Sequence, residues 1–414
     1  MKNSNQRMDR GRVSQKPVYW VITLLGMSLI ALVLTTWINH RYLSVKSSDP
    51  DFAMGWYAAR ALLMEGSSPY HNQVQLDANQ LLGPELEQQT LLRFSAPLYT
   101  LLIYIPFALI GDFNWAITAW MTLLELAAIV LALLWVRLVD WPASPWSRVG
   151  IPVLVLVSLP TVLAITQGGQ ALLAFLALSG VLLALKTGRD ELAGVLYIFS
   201  SFQVGLFGLA LLLVLLWAIS QRRWTFIAWS LGTWLVLIVL GFFLVPNWIW
   251  QQLRLVVPDF RLEPALALRM LMDTWFPGVG RQFTVGIGLF LAGLFALESW
   301  RSWQKPPLWL SWTLSLTLVI SIWLAIWIGP QGLVVLSGPL VLVVALLEKR
   351  WQRGRWIVRL ALILGGVLIP WIWYLALQAD GGWALLYLFY LPVLIMLGLY
   401  WIRWWMVRSI RLNI

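Results

Sequence analysis

Cysteine is absent from the 414 residues, which excludes disulfides, thiolate metal centres and cysteine nucleophiles. Histidine occurs only as His40 and His71, so a histidine-rich metal centre is excluded too, although a site built from carboxylates is not. Charged residues make up only 11% of the chain, and no part of it reads as a water-soluble domain. A glycine-rich phosphate loop, a nucleophile elbow and a His-Glu-x-x-His pair are all missing, which argues against cytoplasmic nucleotide chemistry. No period of about 20 to 50 residues recurs, nor do matching halves of the kind found in inverted-repeat transporters.

Apolar side chains are what the chain has in quantity. They supply 60% of the residues and recur in runs of about twenty from end to end, the pattern of a polytopic all-α membrane protein forming one integral domain over residues 1–414. The net charge of +11 sits in short connectors between the runs. The positive-inside rule and anionic headgroups account for it there, so membrane lipids are expected partners and nucleic acid is not. Many of the 29 tryptophans fall at run ends, as in interfacial aromatic belts.

In chain order, a polar, basic tail over 1–17 (Lys2, Arg7, Arg10, Arg12, Lys16) precedes an apolar run at 18–37. That order predicts a retained signal anchor with a cytoplasmic N-terminus. Further spans are read at 97–110, 115–136, 149–166, 170–186, 192–219, 224–245, 283–298, 308–328, 333–347, 356–377 and 383–402, giving about twelve with the first. This count returns the C-terminus (Arg403, Arg408, Arg411) to the cytoplasm and predicts a multi-pass plasma-membrane protein. It leaves two outer loops, 38–94 and 246–282. Two readings of the middle remain. Strict alternation puts Arg137, Arg148, Lys186 and Arg189 outside; if 97–110 and 192–219, the latter broken at Ser200-Ser201, are re-entrant pairs, those residues return inside and Gln170 faces out.

The stretch 47–70 carries its own punctuation. Asp49-Pro50 reads as an N-cap followed by proline at the first helical position, and Gly66 and Pro69 close the far end. A helix of about four turns is predicted, with Phe52, Trp56, Ala59 and Leu63 on one face and Asp51, Arg60 and Glu65 elsewhere. It is too polar to cross a bilayer and suited to lie along one.

Asp49 and Asp51 form an Asp-x-Asp at the water boundary. Capping accounts for Asp49. For Asp51 a place in the first turn is worth only about 0.3 to 1 kcal/mol, and a carboxylate beside Phe52 and Trp56 would gain basicity by partial desolvation, which suits it to take a proton from a hydroxyl. Glu125 falls within an apolar span, where ionisation costs roughly 2.5 kcal/mol or more. It is either a functional acid or a structural one, protonated or paired with a polar neighbour such as Gln203. Arg93, Arg254, Arg261, Arg269 and Arg281 lie near the outer interface, where arginine either snorkels or holds a lipid phosphate.

The order Asp51-Phe52, Trp56-Tyr57, Ala58-Ala59-Arg60-Ala61-Leu62-Leu63, Gly66 and Ser68-Pro69-Tyr70 resembles glycosyltransferase family 87, multi-span enzymes of the GT-C fold that include polyprenyl-phosphate-mannose-dependent mannosyltransferases. The resemblance continues in Pro97-Leu98, Gly169-Gln170, Leu192-Ala193-Gly194 and Gln203, and covers about the first half of the chain. The chain departs from the family at Ser95-Ala96-Pro97, where Tyr-Pro-Pro is usual, and at Ser201-Phe202-Gln203, where Lys-Pro-Gln is usual. The resemblance implies transfer of a hexose, mannose in those members, from a polyprenyl-monophosphate carrier to a lipid or glycan hydroxyl on the non-cytoplasmic face, with inversion and with Asp51 as general base. It implies no cofactor, with a divalent ion at Asp49 and Asp51 left open. Asp49, Trp56, Tyr57, Tyr70, Arg93, Gln170, Gln203, Arg254 and Arg269 are the candidate substrate-binding residues. The alternative is a transporter or flippase of lipid-linked sugars, which needs a polar path through the spans.

Overall fold

Runs of Leu, Ile, Val, Phe and Trp in a lipid environment leave the helix as the conformation that satisfies every backbone group within one segment. The computed structural model describes residues 30, 32–42, 50–80, 93–142, 144–261, 267–325, 330–377 and 382–408. No strand occurs among the described residues. Among the described residues, seven stretches are long and apolar enough to cross a membrane: Phe113–Leu138, Asp190–Ser220, Trp224–Leu244, Gly280–Ser302, Pro307–Leu324, Gln331–Arg350 and Arg355–Leu377. The pair Trp146–Val157 and Leu159–Thr166 makes an eighth if counted as one span bent by 60°. The bend has a local cause: Ser158 is extended at ψ 140°, and Pro160, next but one, removes a backbone donor. Ala171–Lys186 and Leu388–Trp404 are shorter apolar helices. The chain is thus a helical membrane protein. The tail at 1–17 and most of the run at 18–37 lie outside the described residues.

Two parts of the expected span pattern are corrected. Residues 97–110 do not form a span: they make a 3-10 helix at Leu98–Ile103 and a single turn at Ile105–Ala108. Pro97 and Pro106 deprive this stretch of backbone donors, so no continuous helix runs through it. The stretch 192–219 is not one rod. A straight helix over Asp190–Ser220 would measure about 45 Å, yet Arg223 Nη1 lies 2.6 Å from Asp190 Oδ1 and 3.1 Å from the Leu185 carbonyl. Tyr197 Oη also donates to the Leu211 carbonyl at 3.0 Å. The chain folds back at Ser201–Gln203.

Labels follow for the elements used below: α1 is Pro50–Arg60, α2 Phe113–Leu138, α3 Asp190–Ser200, α4 Val204–Ser220, α5 Trp224–Leu244 and α6 Trp248–Arg261. Helices α3 and α4 form an antiparallel hairpin with α5 alongside. At the closest approach a Cβ on Gly194 of α3 would stand 2.7 Å from the Phe226 carbonyl of α5, so only glycine fits there.

The basic connectors gather at one end of the bundle. Lys186 Nζ donates to the Leu138 carbonyl and to Asp140, both at 2.8 Å, and Lys349 Nζ to the Val139 carbonyl at 2.7 Å. Arg359 grips Glu348 through two bonds of 2.7 and 3.2 Å, and Gln221 reaches the Lys305 carbonyl. Arg403 and Arg301 both reach buried Glu298, at 2.8 and 3.2 Å. Arg137, Arg148, Lys186 and Arg189 therefore share an end with the other basic connectors, which strict alternation does not produce. At the core, Pro307–Leu324 is buried almost throughout. Its Ser311, Thr313, Ser315 and Thr317 hydroxyls each donate to the carbonyl four residues back, so these side chains are satisfied within their own helix.

Candidate active site

Helix α1 stands at the end of the bundle opposite the basic connectors. Proline opens it at a fixed φ with Asp51 in the first turn. It runs as an α-helix to Arg60 and relaxes into a π-turn over Ala61–Glu65. Gly66 stops it in the left-handed region at φ 64°, and the amides of Gly66 and Ser67 both return to the Ala61 carbonyl.

The expectation that this helix lies along the membrane on one apolar face is corrected. Phe52, Ala53, Met54, Trp56, Ala58, Ala59 and Ala61 are all buried, while Leu63, expected on the packed face, is exposed. Protein rather than lipid surrounds α1, because its small residues let neighbouring segments come close. A Cβ on Gly55 would sit 2.4 Å from Cζ of Tyr104, so the tyrosine ring rests directly on the backbone.

An aromatic shell fixes the helix. The Phe52 ring lies 5.3 Å from Trp120, 6.0 Å from Tyr104 and Phe113, and 6.1 Å from Phe107. Trp56 Nε1 donates to the Phe107 carbonyl at 2.9 Å, and Arg60 to that of Ala108 at 3.3 Å. Trp120 carries the connection further, donating Nε1 to the Gly168 carbonyl at 3.3 Å. Gly168 is left-handed at φ 63°, and the Gly169 amide closes on the Ala164 carbonyl at 2.8 Å. Half-buried Gln170 follows and opens the helix Ala171–Lys186. The Asp51 helix and the Gln170 turn, more than a hundred residues apart, are thus joined through one indole.

Asp51 itself is exposed, yet burial pushes its carboxyl up from the ordinary range to about 6. Protein displaces solvent from the surroundings of the carboxyl while its surface stays open to water. Such a carboxylate is ionised near neutral pH and holds a proton more readily than a surface aspartate. Asp49 lies outside the described residues. No group of three or more His, Cys, Asp or Glu positioned to hold a metal ion occurs among the described residues.

The segments around 68–99 and 248–252 meet beside this helix. Ser68 Oγ donates to Gln251 Oε1 at 2.5 Å, Gln252 Nε2 to the Ser95 carbonyl at 3.2 Å, and the Tyr99 ring stands edge-on to Trp248 at 6.4 Å. Gln75, buried in the helix Asn72–Gln80, clamps the first loop by donating to the Pro69 carbonyl at 2.8 Å and accepting from the Phe94 amide at 2.7 Å. Tyr70 is buried and donates to the Ala96 carbonyl at 2.8 Å. Tyr70 and Trp56 thus have their polar atoms engaged by backbone carbonyls. Tyr57 is half-buried and reaches Asp77 at 3.3 Å; burial and the Asp77 charge push its hydroxyl up, keeping it a donor.

The remaining candidates divide. Gln203 is half-buried and ends the hairpin turn, and Tyr99 ties that turn to the first loop through Ser201 at 3.4 Å and Phe202 at 5.7 Å between rings. Arg254, on α6 one turn beyond Gln251, is exposed, as are Arg93 and Arg281. Arg269 pairs with Asp273 at 3.3 Å one helical turn away. The Arg261 side chain lies outside the described residues.

Glu125 is not beside Gln203. It accepts from Asn39 Nδ2 at 3.2 Å, and the same amide reaches Thr122 at 3.2 Å, with Thr36 also on Thr122. Asn39 is a partner that sequence spacing did not single out, because it arrives from the helical segment 32–42. Its one signal was an amide at the edge of an otherwise apolar run. Gln75 and Trp120 were likewise not singled out, and both act through contacts far away in sequence.

No family model matches the chain, and no curated protein or solved structure matches it either.

Proposed function

We propose that this chain is a membrane glycosyltransferase that moves a hexose from a polyprenyl-monophosphate carrier to a hydroxyl acceptor on the non-cytoplasmic face. The observation that carries the reading is Asp51: a carboxylate open to solvent on a buried, aromatic-clamped helix, with its proton affinity raised towards neutrality. A general base working near neutral pH needs both access and an elevated pKa. The acceptor O–H gives its proton to Asp51 as its oxygen bonds the sugar carbon, and the bond from that carbon to the carrier phosphate breaks with inversion. The departing phosphate needs hydrogen-bond donors or cations. Exposed Arg254 and half-buried Gln170 are the donors offered for this, with Tyr57 as an acceptor-orienting donor.

The same reading treats the basic end as cytoplasmic. Against a flippase stands the core helix Pro307–Leu324, whose Ser311, Thr313, Ser315 and Thr317 hydroxyls are turned onto its own backbone.

The test is incubation of membranes containing the chain with a set of radiolabelled polyprenyl-phosphate sugars, followed by extraction of products. Label in a new product with the wild type and none with Asp51→Asn supports the proposal. Label moving between leaflets with no new product is the flippase outcome and overturns it.

A further inference from the structure

The basic end encloses a cavity of about 230 Å³ that the proposed sugar transfer does not use. Its walls come from Trp141, Pro142 and Ser144, the end of the helix Ser337–Arg350 and the start of the helix Arg355–Ala361. The loop wall is firm, because Ser147 Oγ donates to the Pro142 carbonyl at 2.6 Å and Trp141 is buried. Lys349, Gln352, Arg355 and Arg359 face the space, with Glu348 as its single acidic side chain.

These cations are not equivalent. Arg359 is neutralised by its two bonds to Glu348 and is stacked over Trp146 at 5.0 Å. Lys349 is anchored by one donor to the Val139 carbonyl, leaving two N–H groups. Arg355 has no hydrogen-bond or ion-pair partner among the described residues, and neither has the Gln352 amide. Counting charges on the wall, three cations less one carboxylate leave +2. A preformed concavity with a net positive wall and an unused amide is matched by a phosphate, which guanidinium binds through paired hydrogen bonds.

Farther along the face of this stretch that carries Arg355 and Arg359, Leu362 and Gly366 line an apolar pocket with Ile151, Leu154 and Leu340. Apolar side chains continuing from a phosphate-sized cationic pocket fit acyl chains that continue from a headgroup. We propose that this cavity binds the headgroup phosphate of an anionic phospholipid in the leaflet at the basic end. The lipid then ties the loop at Trp141 and Pro142 to two consecutive helices that lie far from it in sequence.

The test uses the purified full-length chain, stripped of lipid in a neutral detergent. Retained lipid is counted by native mass spectrometry, and thermal unfolding is followed after adding phosphatidylglycerol, phosphatidylcholine or inorganic phosphate. Phosphatidylglycerol should be retained over phosphatidylcholine and should raise the melting temperature. Arg355→Gln should weaken its retention about fivefold, and Gln352→Ala should weaken it less. Arg189→Gln, at the same end but outside the cavity, should leave it unchanged. Equal retention of the two lipids, or wild-type retention by Arg355→Gln, would overturn the proposal. Protection by inorganic phosphate equal to that by phosphatidylglycerol would overturn the assignment to a lipid.

Discussion

Trp120 stands with its ring centroid 5.3 Å from that of Phe52, the neighbour of Asp51, while its indole N–H holds the Gly168 carbonyl at 3.3 Å. This indole sets the spacing between the carboxylate helix and the Gln170 turn. Trp120→Phe keeps the packing and loses the hydrogen bond. It should cost about 1 kcal/mol of stability, with a larger proportional fall in transfer than in melting temperature. Trp120→Ala should cost about 3 to 5 kcal/mol. Thermal unfolding beside a transfer assay separates the two effects; equal losses in both variants would show that the indole does no positioning.

Asp51 sets a pH dependence. Its carboxyl is raised to about 6 in the folded chain, so the base form fills as pH rises through that value and transfer should climb with it. Linkage runs the other way for stability. The fold gains from the protonated form below the unfolded value of 3.8 and loses that gain as pH rises to about 6. Asp51→Asn should remove this limb and lower the rate by roughly 10²- to 10⁴-fold, with membrane insertion intact. A flat profile from pH 5 to 8 in the wild type would exclude Asp51 as the base.

Gly55 has no room for a side chain, since its Cβ would enter the Tyr104 ring. Gly55→Ala should destabilise by about 1 to 3 kcal/mol. Tyr104→Leu in the same chain should recover part of the loss, a coupling that a double-mutant cycle in thermal unfolding will show.

The hairpin of α3 and α4 can be tested in a chain that has no native cysteine. Asp190→Cys with Arg223→Cys should cross-link through a short bis-maleimide, because the native side chains meet at 2.6 Å. A straight helix would hold the same positions about 45 Å apart or more and give no product.

Asn39 holds the carboxyl of Glu125 inside the bundle. Asn39→Leu removes the donor and should lower stability by about 1 to 3 kcal/mol. Glu125→Gln keeps a polar partner for Asn39 and should cost less, with transfer retained. A total loss of transfer in Glu125→Gln at wild-type stability would assign Glu125 a part in the chemistry.

The amino-acid sequence alone determined that this is a helical membrane protein, where most spans fall, and where α1 begins and ends. These features rest on local hydropathy and on Pro50 and Gly66, which act within a turn or two. It also marked Asp51 as a carboxylate beside aromatic residues. Only the tertiary structure decided that α1 is sheathed by protein, that 97–110 does not cross, that 190–220 folds back on itself, and that Glu125 meets Asn39. A hydropathy profile gives the same signal for a buried helix as for a lipid-facing one, and an apolar run broken at Ser200-Ser201 does not reveal whether it turns back there. Close packing through Gly55, Gly194 and Trp120 settles those questions, because it joins residues that no sequence spacing brings together.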